Sequence, residues 1–164
     1  MVRNVGNRHW KLVRRHDGGL DADQGEIVMP VIVFTRLRLK DPALNDEFFA
    51  DAMAAIEQAQ KAEGNLGTDA LADAGNAWWT VTAWQDKQRM RSYLSTDPHR
   101  SIMSHLDRFC DEATFVDWEQ DSAELPDWQT GWRRMVDGGT AGMLTHPSPA
   151  HQTRDIPAPV VPSS

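Results

Sequence analysis

Residues Trp78 to Trp84 read Trp-Trp-Thr-Val-Thr-Ala-Trp and carry no formal charge. Large rings and β-branched residues without a single ionised group suit a pleated surface covered on both faces, and suit a water-exposed helix badly. The stretch is therefore a central β-strand. Its alternation puts Trp78, Thr80, Thr82 and Trp84 on one face and Trp79, Val81 and Ala83 on the other. The first face mixes rings with hydroxyls, as a pocket wall would; the second is plainly apolar.

The elements around this strand follow from local chemistry. Pro30 to Leu39 predicts a first strand, with Pro30 at an edge position that needs no ladder donor. Val31, Val33, Thr35, Leu37 and Leu39 share one face, and Ile32 and Phe34 lie on the other before Arg36 and Arg38. Asp41 and Pro42 form a helix entry, and the apolar stripe Leu44, Phe48, Phe49, Ala52, Met53, Ile56 and Ala59 predicts an amphipathic helix ending near Glu63-Gly64. Leu66 to Ala74 is a weaker strand, joined to the Trp strand by a tight turn over Asp73 to Asn76. Residues 86–94 form a short helix, and Asp97-Pro98 restarts it, so that His99, Ile102, Met103, Leu106 and Cys110 share a face while His105 points away. Residues 112–119 make a last strand. Leu125 to Val136 predicts a C-terminal helix with Trp128, Trp132 and Met135 inward, stopped by Gly138-Gly139.

This order, βαββαβ, predicts an α+β, ferredoxin-like unit: a four-stranded antiparallel sheet with its helices on one face. A lone unit would leave Ile32, Phe34, Trp79, Val81 and Ala83 facing water, a patch large enough to argue for a homodimer in which two sheets close into a dimeric α/β barrel. By composition the chain divides into a leader (1–28) that looks disordered, the main domain (29–120), the C-terminal helix (121–139), and a Pro- and Ser-rich tail (140–164), either disordered or laid over a partner as an extended arm.

Charge and cysteine usage exclude several classes. A formal net charge of -7 and a pI near 5.3 disfavour nucleic-acid and anionic-membrane partners, which call for a basic stripe. A lone cysteine, Cys110, excludes an intrachain disulfide and multi-cysteine metal sites. No metal-ligand spacing and no glycine-rich phosphate loop is present. No run approaches the ~20 apolar residues of a membrane span, and the expected setting is the cytoplasm.

Asn76-Ala-Trp-Trp-Thr-Val-Thr-Ala-Trp84-Gln-Asp, followed by Met90, Tyr93 and Asp97-Pro-His99, resembles the core of the antibiotic biosynthesis monooxygenase family, whose members are dimeric α/β barrels. The likeness covers roughly residues 29–119. It implies a pocket between sheet and helices, on the face of Trp84, Thr80, Thr82 and Thr35. Family members include cofactor-independent oxygenases of anthrone-type polyketides, haem-degrading proteins, and small proteins of no known role. In the oxygenases the resemblance implies an Asn where this chain has Thr80 and an Arg near Ser104; only the Trp, as Trp84, is matched. In the haem degraders the corresponding Asn, Trp and His fall near Thr35, Tyr93 and Met103.

The candidate site then follows. His99, the one imidazole expected to face inward, is the candidate general base. Trp84 is the candidate catalytic donor through its Nε1, together with the hydroxyls of Thr35, Thr80 and Thr82. Phe49, Trp78, Tyr93 and Met103 are candidate substrate-binding walls, with plain core packing as the competing reading of the rings. The expected partner beyond a second copy is a small hydrophobic or aromatic molecule. Three functions are compatible: a cofactor-independent monooxygenase needing no cofactor, a haem-binding or haem-degrading protein using His99 as ligand, and a non-catalytic ligand-binding dimer.

Overall fold

The computed structural model describes residues 28–161, and all of the expected leader except Val28 lies outside them. Strands β1 (Val31–Leu39), β2 (Asn65–Ala72), β3 (Ala77–Trp84), β4 (Cys110–Glu119) and β5 (Thr140–Ala141) form one antiparallel sheet in the order β2-β3-β1-β4-β5. The first four give the ferredoxin-like arrangement. Asp41 opens a short 3₁₀ turn by accepting from Ala43 N at 2.9 Å, and helix α1 (Asn45–Lys61) follows. Helices α2 (Lys87–Leu94), α3 (His99–Ser104) and α4 (Leu106–Phe109) complete the expected helical layer. The anticipated continuous stripe to Cys110 is interrupted at His105, and Cys110 already begins β4. Its thiol, buried and beside Asp111, is pushed up to about 12, which makes it inert.

Register fixes the two faces. Thr35 lies opposite Thr80, Leu37 opposite Trp78 and Val31 opposite Trp84, so these side chains share the α1–α4 face. Ile32 opposite Ala83 and Phe34 opposite Val81 share the reverse face with Trp79. At the β2–β3 turn, Asp73 Oδ1 accepts from Gly75 N at 2.8 Å while Oδ2 accepts from Trp79 Nε1 at 2.7 Å. One carboxylate thus shapes the turn and satisfies the indole N–H that would otherwise be buried unpaired.

The reverse face corrects the sequence expectation. It is covered by the chain's own helix α5 (Trp128–Gly138), which Asp127 caps by accepting from Thr130 N at 2.7 Å. Of the eight largest fully buried side chains, Trp79, Phe34, Ile32, Met135 and Val81 lie between the sheet and α5. At about 1.5–3 kcal/mol per large apolar side chain, this layer is a second core rather than a cover. Phe34 stacks on Trp118 at 6.0 Å and meets Trp128 edge-on at 5.6 Å. The apolar face therefore supplies no argument for a second copy.

The tail also differs from expectation. Over residues 140–161 it adds β5 to the edge of β4 and then forms helix α6 (Pro149–Thr153). Ser148 Oγ donates to Glu112 Oε1 at 2.9 Å, and His151 Nε2 donates to the Gly142 carbonyl at 2.9 Å. Glu112 is also ion-paired with Arg36, both nearly fully buried. Burial pushes the Glu112 carboxyl up, but the hydrogen bond and charge of Arg36, with the Ser148 hydroxyl and the charge of Arg38, together hold the group below its ordinary range.

Two substitutions test this second layer. A Cβ at Gly131 would stand 2.1 Å from the Phe34 ring. The helix-propensity gain of Gly131→Ala, about 1 kcal/mol, is therefore outweighed by overpacking, and the variant is expected to be destabilised by about 1–3 kcal/mol in a denaturant titration. Glu112→Ala leaves a buried guanidinium without its counter-charge and is expected to cost about 3–5 kcal/mol in the same assay.

Candidate functional site

Between the sheet and helices α1–α3 lies a cavity of about 70 Å³. Its floor is a diagonal of four hydroxyl-bearing side chains across three strands: Thr68 opposite Thr82, then Thr80 opposite Thr35. Trp78, Tyr93, His99 and Met103 contribute walls, with Phe48, Ile56 and the small residues Ala52, Ala55 and Ala59 of α1 above. No Asp, Glu, Lys or Arg is among the lining residues. The polar side chains of the lining are therefore neutral hydroxyls, the Trp78 indole and the His99 imidazole.

His99 is held on two sides. Its backbone N–H donates to Gln58 Oε1 at 2.8 Å, and its Nδ1 lies 3.3 Å from the Leu94 carbonyl oxygen. A carbonyl only accepts, which assigns the neutral ring's proton to Nδ1 and leaves Nε2 as a lone-pair nitrogen with no hydrogen bond among the described residues. The ring packs against Tyr93 at 4.6 Å. Burial lowers the His99 pKa below the usual 6.5, and the Leu94 carbonyl offsets that only in part. The imidazole is thus neutral at neutral pH and able to accept a proton.

Gln58 escaped sequence reasoning. Its Nε2 donates to the carbonyls of Tyr93 (3.4 Å) and Thr96 (3.1 Å) while its Oε1 takes the His99 N–H, so one side chain fixes the α2–α3 corner to α1. As a polar residue off the apolar stripe of α1, it offered no periodic signal. Thr68 was missed because β2 carries little patterning.

Two expected site residues stand elsewhere. Trp84 is not in the lining: its ring is fully buried and stacks on Tyr93 at 4.9 Å, and its Nε1 donates to Thr82 Oγ1 at 2.8 Å. Its donor is spent inside the protein. Trp84 orients Thr82 and backs Tyr93 from behind the lining. Phe49 is half exposed and meets Trp78 at 5.8 Å from outside the cavity. Tyr93 donates its hydroxyl to the Ala55 carbonyl at 3.2 Å, and burial raises its pKa, so it remains a neutral phenol. The remaining expected residues, Thr35, Trp78, Thr80, Thr82, Tyr93, His99 and Met103, are gathered around the one cavity.

The βαββαβ order and an uncharged cavity between sheet and helices define the class: a ferredoxin-like α+β domain with a cavity on its helical face. Residues 30–105 match the family model for antibiotic biosynthesis monooxygenase. The fold recurs in a conserved protein of Methanosarcina mazei (17% identity, TM-score 0.52, covering 57% of this chain and 94% of that one). It recurs in Rv0793 of Mycobacterium tuberculosis (14%, TM-score 0.53, 58% and 99%) and in PA3566 of Pseudomonas aeruginosa (11%, TM-score 0.53, 60% and 100%). At these identities the likeness is one of fold. No curated protein matches the chain. The second layer built by α5 and the tail lies outside the matched residues.

The histidine environment has a pH consequence. With its folded-state pKa lowered, His99 binds its proton more readily when the chain is unfolded, so stability falls as pH drops below the unfolded value of about 6.5. Denaturant unfolding across about pH 5 to 7.5 is expected to show this acid loss in the wild type and a smaller one in His99→Gln.

Proposed function

We propose that the domain binds a small, neutral, hydroxylated aromatic molecule over the Thr floor and oxygenates it without a resident cofactor. The observation that carries this reading is the free Nε2 of a neutral His99 in a lining with no other ionisable group except the neutral phenol of Tyr93. The match of residues 30–105 to the antibiotic biosynthesis monooxygenase model supports the reaction class.

The chemistry requires little of the protein. His99 Nε2 removes a proton from an acidified substrate C–H, and the resulting anion is electron-rich enough to reduce dioxygen. A CH₂ becomes C=O, one oxygen atom entering the product and the other leaving as water, with all electrons supplied by the substrate. Thr35, Thr80 and Thr82 offer hydroxyl donors to the anion's oxygen, and the apolar walls keep water from quenching it. Trp84 acts through Thr82, whose oxygen already accepts the indole N–H and whose own proton is left to donate.

Oxygen-electrode measurements with an anthrone-type substrate are expected to show consumption, lowered on the order of 10²-fold or more in His99→Ala. Oxygen uptake that is indifferent to His99 overturns the assignment of the base. No uptake, with quenching of tryptophan fluorescence on adding the same compound, identifies a binding protein instead.

A further inference from the structure

Arg36 is 3% exposed, yet only part of its guanidinium is paired. Nη1 donates to Glu112 Oε2, while Nε is buried without an acceptor, and Nη2 makes no hydrogen bond among the described residues. Nε and Nη2 form the side-on edge of the planar group, a pair of parallel N–H donors in fixed geometry. Leaving a charged donor unpaired in the interior is costly, so a bare edge at this depth calls for an acceptor. One face of the guanidinium is taken by Trp79, the central carbon lying 5.5 Å from the ring centre. Towards α5 a gap of about 50 Å³ has room for a few waters. On the other side Arg36 walls an open hollow of about 460 Å³, the size of an ordinary small-molecule site.

We propose that this hollow is a binding site, separate from the helical-face cavity, for a small neutral molecule that presents a carbonyl or amide oxygen to the side-on edge of Arg36 and an apolar body to the tail. Charge decides against an anion. The guanidinium groups of Arg36 and Arg38 are outnumbered at the hollow by the carboxylates of Asp73, Asp111 and Glu112. The carboxylates that line it are already engaged: Glu112 accepts from Arg36, Arg38 and the Ser148 hydroxyl, and Asp73 accepts from Gly75 N and Trp79 Nε1. What is left over is donor capacity without net positive charge. A neutral oxygen satisfies it, whereas a further carboxylate would bind against repulsion. The remaining wall is apolar, built by Pro149, Ala150, Pro157, Ala158 and Val160. All of these belong to the tail, and neither they nor Glu112 fall within the family-matched residues 30–105.

Calorimetric titration of the full chain with cyclohexanecarboxamide and with cyclohexanecarboxylate at neutral pH compares two head groups on one body. The amide is expected to bind at least about tenfold more tightly than the carboxylate. Ala158→Trp, at an exposed position of the wall, fills the hollow and is expected to weaken the amide about tenfold. Arg36→Lys keeps a charge for Glu112 but lacks the side-on edge, and the same loss is expected. Circular dichroism establishes folding, and Ala158→Trp carries the test if Arg36→Lys does not fold. Carboxylate binding as tight as that of the amide overturns the assignment of a neutral ligand. Amide binding within about twofold of wild type in folded Ala158→Trp puts the molecule elsewhere and overturns the site. Absence of binding by both probes at millimolar concentration overturns the proposal and leaves water as the partner of Arg36; the helical-face cavity is tested separately, by oxygen uptake.

Discussion

A sheet that carries large apolar side chains on both faces needs two covers, and the burial of the Trp79 face is the constraint on which the rest of this structure depends. The helical layer α1–α4 covers one face; α5 supplies the other from the same chain. The fit is close enough that Gly131 sits against the Phe34 ring where no side chain could. Because α5 must arrive after β4, the tail behind it returns to the β4 edge, where β5 pairs with Thr114 and Phe115 and Ser148 reaches Glu112. The tail is thus tied to the same buried Arg36–Glu112 pair that sits beneath it.

This arrangement leaves the helical face to the cavity. Rigid backing comes from the fully buried Trp84, which stacks on Tyr93 and engages Thr82, and from Gln58, which fastens the corner that carries His99. Each group that could ionise near the cavity is held in its neutral state by burial. The cavity's polarity is therefore supplied by hydroxyls and one imidazole.

Much of the fold was legible in the sequence because it is written in periodicity. The alternation of Trp78 to Trp84, the stripe of α1 and the turn at Asp73 each declare themselves within a few residues, and they fix which side chains share a face. That is why seven of the nine expected site residues converge on one cavity. The errors all concern destinations. The pattern of α5 shows which side of the helix is apolar but not which surface it meets, and so the sheet face it covers, with Trp79 and Phe34, was expected to meet a second copy. The tail lacks a stripe altogether; a short ladder to β4 and hydrogen bonds across 36 and 38 residues hold it, and no local rule announces them. Trp84 was assigned to the right face and the wrong role, since a neighbouring hydroxyl one strand repeat away captures its only donor.

A cover supplied in cis has an evolutionary consequence. At a two-fold seam every substitution appears on both sides at once, so a change must suit its own mirror image. Between this sheet and α5 no such symmetry holds: Phe34 can be large because Gly131 is small, and each side can change alone. Completing the layer is also a unimolecular event, independent of dilution. Substitutions on the helical face can then accumulate without disturbing a symmetric seam on the other side of the sheet.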